Sequence, residues 1–133
     1  MDEQLQQKIE MYRMLEAKVS GLMKQKEMVV NKMLEVKTTV SSLDEMEKSN
    51  GEILFPLGGE AWSTAKVFDK GSVVVEVGAG VALEKTFPEA KEILNKRVNE
   101  LEKAMEEINK EYNESSEILN RLGPEIEKEL SKG

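Results

Sequence analysis

The sequence predicts a mainly α protein with a small β component: a long antiparallel coiled-coil hairpin whose two helices are joined by two β-hairpins. Three observations predict it. Apolar residues recur in 3,4 spacing over a long stretch at each end, four short β-type runs separated by Gly-containing turns lie between them, and the two end stretches match in length. A 3,4 repeat is the signature of a coiled-coil seam, strict alternation that of strands, and equal arms are what an antiparallel hairpin requires.

The first arm occupies residues 1–50. Its seam positions read Leu5, Lys8, Tyr12, Leu15, Val19, Leu22, Lys26, Val29, Met33, Val36, Val40, Leu43 and Glu47, interrupted only by Lys8, Lys26 and Glu47. As helix, residues 5–47 span roughly 65 Å at about 1.5 Å per residue. The pattern fails at Ser49-Asn50-Gly51, where Asn and Gly favour turns, so the helix should stop near Lys48.

Residues 51–88 form the β region, with strands near 53–57, 61–68, 72–77 and 81–87. Turn residues at Gly58-Gly59-Glu60, Asp69-Lys70-Gly71 and Gly78-Ala79-Gly80 bound them. Val73, Val75 and Val77 share one face of the third run, while Val81, Leu83 and Phe87 share one face of the fourth. Pro56 lacks a ladder N–H, which puts the first strand at an edge or bends it there. Trp62, the sole Trp, suits a core or interface anchor. Two hairpins cannot bury both faces alone and they expose strand edges. The apolar set Ile53, Phe55, Leu57, Trp62, Val73, Val75, Val77, Val81, Leu83 and Phe87 is therefore expected to assemble with partner strands.

The second arm, residues 89–133, follows Thr86-Phe87-Pro88, with Thr86 or Phe87 near the cap, Pro88 at the first helical position and Glu89 in the first turn. Its seam reads Leu94, Val98, Leu101, Met105, Ile108, Tyr112, Ser115, Leu119, Leu122, Ile126 and Glu129. Gly123-Pro124 is expected to kink or end the helix, because proline removes a backbone bond and crowds the preceding turn.

Composition excludes most chemistry. With no Cys and no His, disulfides, thiol nucleophiles, His-based triads and nearly all zinc sites are ruled out. Gly78-Ala79-Gly80 opens like a dinucleotide loop, but Leu83 stands in the third glycine place and strand rather than helix follows. There is no Gly-Lys-Ser/Thr element. The acidic residues Glu106, Glu107, Glu125, Glu127 and Glu129 fit a solvated helix face. No enzyme reading and no cofactor survive. Of the net charge of −7, residues 89–133 carry most, 8 basic against 12 acidic, and no basic stripe invites nucleic acid. No apolar run is long enough for a membrane span and no secretory h-region is seen, so a cytoplasmic location is expected.

The methionines are uneven. Met11 and Met14 flank Tyr12 near the free end, widening the apolar surface beyond what a two-helix seam consumes. Flexible, polarizable Met suits varied apolar partners. The polar seam residues Lys8, Lys26 and Ser115 weaken the zipper, so the tips are expected to splay. The candidate binding surface is Leu5, Ile9, Met11, Tyr12, Met14 and Leu15 on one arm and Leu119, Leu122, Ile126 and Leu130 on the other.

At Phe55-Pro56-Leu57-Gly58, and at Val75-Glu76-Val77-Gly78-Ala79-Gly80-Val81-Ala82-Leu83-Glu84-Lys85-Thr86-Phe87 followed by Glu89-Ala90, the chain resembles the α class of archaeal prefoldin subunits. The resemblance implies a hexamer of two α and four β subunits in which the hairpins form β-barrels and the coiled coils hang as tentacles. It further implies an ATP-independent holdase that captures non-native client proteins at the tips and passes them to a group II chaperonin. Gly59-Glu60-Ala61-Trp62-Ser63-Thr64 departs from the family pattern. The alternatives are a divergent paralogue or a structural coiled-coil scaffold with one dedicated partner, for which heptads should continue cleanly to the arm ends.

Overall fold

Two helices of equal length bracket four strands in the computed structural model, which describes residues 2–68 and 71–132. The elements are α1 (Glu3–Lys48), β1 (Glu52–Gly58), β2 (Ala61–Lys66), β3 (Val73–Gly78), β4 (Val81–Lys85) and α2 (Phe87–Lys132), and each helix has 46 residues. Asp69 and Lys70 of the expected middle turn lie outside the described residues, as do Met1 and Gly133. Spatial contacts divide the chain into two compact units. One comprises Met1–Lys32 and Leu101–Gly133, the other Met33–Glu100.

In the first unit the two helices run antiparallel, with Lys8 bonded to Glu129 and Tyr12 beside Gly123. Every expected seam residue in this unit is buried or half-buried. Leu5, Leu22 and Leu122 are nearly inaccessible, and each such leucine contributes roughly 1.5–3 kcal/mol of burial. Ser115 is also buried, and no buried side-chain polar atom among the described residues lacks a partner. The helix does not stop at Gly123-Pro124: α2 continues to Lys132 with Pro124 inside it. The missing amide of Pro124 leaves only the carbonyl of Asn120 without its ladder donor. Both residues lie on the exposed face, where water can reach them, while Leu122 and Ile126 hold the other face in the seam.

In the second unit the buried apolar side chains are Val36 and Leu43 of α1, Val75 of β3, and Phe87, Ala90, Leu94 and Val98 of α2. Helix α1 ends where Asn and Gly follow. The Ser49 amide and hydroxyl return to the Met46 carbonyl, and Gly51 takes a positive φ of 92°. Strand β4 ends at Lys85, not 87, because Thr86 caps α2. The Glu89 amide donates to Thr86 Oγ1 at 3.2 Å and the Thr86 amide donates to Glu89 Oε1 at 3.0 Å, a reciprocal capping box. Pro88 is accordingly the second helical residue rather than the first, and Phe87 belongs to the helix rather than to a strand.

The two hairpins repeat one design. β1 pairs with β2 and β3 with β4, both antiparallel and each in its own two-stranded sheet. In both, one extra residue bulges just before the turn, Leu57 between Pro56 and Gly58 and Val77 between Glu76 and Gly78. Both turns then place two residues at positive φ, Gly59 (58°) and Glu60 (66°) in one, Ala79 (50°) and Gly80 (75°) in the other. Positive φ at both central positions is what a two-residue type I′ connection demands, and it matches the right-handed twist of the strands.

Candidate functional site

Two surfaces collect the chemistry-bearing residues, one in each unit. At the end of the first unit, Lys8 occupies a seam position and meets two carboxylates of α2, Glu129 at 2.7 Å and Glu125 at 3.7 Å. The hydrogen bond to Glu129 raises the Lys8 ammonium above its ordinary pKa. Lys8, expected to interrupt the seam, thus closes it with Glu129, which was expected on a solvated face. The tips are not splayed, and Leu5 and Leu122 are buried against the opposite helix. Leu15 and Leu119 are half-buried in the same seam. What remains open is narrower than the sequence suggests. Met11, Met14 and Leu130 are exposed at 53%, 72% and 52%, while Ile9, Tyr12 and Ile126 are half-buried beside a groove of about 240 Å³ whose other walls are Arg13, Glu16, Gly123 and Glu127.

In the second unit the hairpins present apolar residues that the chain does not cover. Cross-strand register puts Ile53, Phe55, Ser63 and Ala65 on one face of the first hairpin and Leu54, Pro56, Trp62 and Thr64 on the other. Trp62 is 58% exposed and is no core residue of this chain; Phe55, Leu54 and Leu57 are exposed with it. On the second hairpin Val73, Val75, Leu83 and Lys85 share a face. Val75 is buried there, Val73 half-buried, and Val77, Val81 and Leu83 exposed. Among the expected assembly residues, Phe87 is corrected most sharply: at 2% exposure in the first turn of α2 it is core, with nothing left to offer a partner.

Two polar contacts in this unit were not anticipated. The Arg97 guanidinium of α2 donates to the Glu76 carbonyl at the bulge of β3, which ties the second hairpin to the helix. Lys91 bridges Asp44 at 2.5 Å and Glu47 at 3.0 Å. These bonds, Asp44 first, lift the lysine pKa, and the same contact holds the Asp44 carboxyl below its usual range. The signal was available: Lys91 stands three residues before Leu94 and continues the 3,4 repeat back to Phe87. Glu89 is likewise held below the ordinary carboxylate range, first by the Thr86 amide and then by its hydroxyl. Among the described residues no cluster of acidic side chains has metal-binding geometry.

Residues 15–132 match the family model described as "Prefoldin subunit". The chain belongs to the prefoldin family. Relatives include the prefoldin subunit alpha of Methanococcoides burtonii, 34% identical over 74% of this chain and 72% of that protein, and that of Pyrococcus horikoshii, 32% identical over 71% and 66%. Among solved structures, the filamentous prefoldin of Methanocaldococcus jannaschii superposes with a TM-score of 0.70, covering 93% of this chain and 98% of that one at 20% identity. The prefoldin fold of two long helices joined by two β-hairpins is therefore shared. Membership makes this chain a prefoldin chaperone subunit and disfavours the dedicated-partner scaffold, even though the seam stays closed to its ends. Family members are chaperones rather than enzymes and work within oligomers of prefoldin subunits. No described helix is long and apolar enough to cross a membrane.

Proposed function

We infer that the chain is the α-class subunit of a cytoplasmic prefoldin in which two α and four β subunits close their hairpins into β-barrels. It holds non-native client proteins at its coiled-coil end without nucleotide and transfers them to a group II chaperonin. One observation carries the holding role: exposed Met11, Met14 and Leu130 surround the partly open Ile9, Tyr12 and Ile126 at one end of a charged, otherwise solvated coil. Exposed methionines adapt to varied apolar segments, and several weak tips around one client raise the effective concentration for a second contact. The uncovered Phe55, Leu57, Trp62 and Leu83 support assembly through the hairpins, because a two-stranded sheet is marginal until more strands join it.

The test is to mix the chain with a β-class prefoldin subunit, weigh the product by native mass spectrometry, and measure suppression of aggregation of a chemically denatured client. A two-to-four hexamer whose Ile9→Ser, Met11→Ser, Met14→Ser variant assembles normally but loses suppression is the expected result. Full suppression by that assembled variant refutes the tip assignment. A homo-oligomer indifferent to the β subunit refutes the proposed composition.

A further inference from the structure

Gly123 and Pro124 lie in unbroken helix, so the pair does not serve as a stop. Its glycine does something else. A Cβ built on Gly123 would lie 3.5 Å from Tyr12 Cε2 and 3.9 Å from the Tyr12 hydroxyl. Any side chain there would spread over the ring. Without one, the tyrosine forms a wall of the groove of about 240 Å³ at the end of the coil.

Building on the holding role above, we propose that this groove is a subsite for one aromatic or large aliphatic side chain of the client, preferring a segment with a basic residue beside it. Volume supports the first part, since a buried apolar cavity of about 150 Å³ already accepts benzene. Ile9 and Ile126 supply apolar walls and the Tyr12 ring an edge or face for aromatic stacking. The rim supports the second part. Exposed Glu16 and Glu127 outnumber the single cation, Arg13, so the mouth favours positive charge. The net charge of −7 steers in the same direction.

The experiment uses the full chain and three labelled peptides that differ only at the centre: Phe flanked by Lys, Phe flanked by Glu, and Ser flanked by Lys. Fluorescence anisotropy gives affinities for the parent, Gly123→Ala and Gly123→Leu. Alanine at a distance of 3.5 Å makes ordinary contact and favours helix over glycine, so Gly123→Ala should melt at or above the parent temperature while binding more weakly. Gly123→Leu fills the groove and should weaken the Lys-flanked Phe peptide about tenfold. The parent should prefer the Lys-flanked over the Glu-flanked peptide several-fold at low salt, with the preference shrinking as salt rises.

A Gly123→Leu chain that melts normally and binds the Phe peptide as the parent does overturns the subsite. Should the leucine variant fail to fold, undiminished binding by Gly123→Ala does the same. Equal affinity for Lys- and Glu-flanked peptides at low salt overturns the charge preference. A parent chain whose hexamer fails to suppress client aggregation sinks the holding role itself, a result distinguishable from failure of the groove alone.

Discussion

Phe87 and Trp62 offer the sharpest division between what folds this chain and what assembles it. Both are aromatic residues of the β region by sequence, yet Phe87 is 2% exposed and Trp62 58%. Phe87→Ala truncates a buried aromatic side chain in the first turn of α2, and such truncations cost about 3–5 kcal/mol. With an m-value of about 2 kcal/mol/M, the urea midpoint should fall by about 2 M. Trp62→Ala removes an exposed ring and should change the chain's own stability by no more than about 0.5 kcal/mol. As a buried aromatic of the assembled hairpins it should instead cost about 2 kcal/mol of association, roughly thirtyfold in affinity. The assays are urea unfolding followed by helical ellipticity at fixed chain concentration and titration with a β-class subunit. Trp62 emission in the parent reports burial directly, since it is the sole tryptophan. An unmoved midpoint for Phe87→Ala, or a Trp62→Ala chain that assembles as tightly as the parent, refutes the division.

Glu89 and Asp44 have folded pKa values below their ordinary 4.5 and 3.8, so their contribution is complete above those values and is lost as pH falls through the lowered ones. Stability measured by urea unfolding should therefore hold from neutral pH down to that range and drop below it, and Glu89→Gln should flatten part of the drop. Thr86→Ala, which removes the hydroxyl of the same capping box, should cost about 1 kcal/mol at neutral pH. Lys8→Glu places a third carboxylate beside Glu125 and Glu129 and should open the coil end. Binding of a hydrophobic dye should rise at low salt and recede at high salt as Leu5 and Leu122 become accessible and then close again; identical dye binding by parent and variant refutes the closing role of Lys8.

The order and type of the six elements were legible because the two periods are distinct. A 3,4 repeat sustained from Leu5 to Leu43 has no strand interpretation, and Val73 to Val77 alternates too cleanly for a helix. Legibility failed where one residue satisfies both periods. Phe87 continues the alternation of Val81 and Leu83, and it also continues the seam through Lys91 and Leu94. The capping box between Thr86 and Glu89 decides for the helix, and it is written in the sequence as a Thr followed three residues later by Glu. The closure of the tips is illegible for a different reason. Considered alone, Lys8 weakens a seam and Glu129 fits a solvated helix face, and only the antiparallel register reveals that they meet. Which side chains cover Leu54, Leu57 and Trp62 is not legible in one chain at all, since the covering strands belong to other subunits in the assembly proposed here.

The pairing of a stable seam with a deliberate gap explains why Gly123 can be both a weak helix residue and a useful one. Glycine in a helix interior costs up to about 1 kcal/mol relative to alanine, and the adjacent proline adds a lost backbone bond. A coil serving only as a spacer would gain from replacing both. The salt bridges of Lys8 and the buried Leu122 hold the helix on either side of the defect, so the cost remains local. What the defect leaves is an open tyrosine face at the end of the coil, whereas a fully packed seam would present only charge and scattered methionine. On this reasoning stability and client binding change in opposite directions at position 123, while at Phe87 a truncation costs stability alone. A substitution at 123 that raised both would mean that the gap has no part in holding.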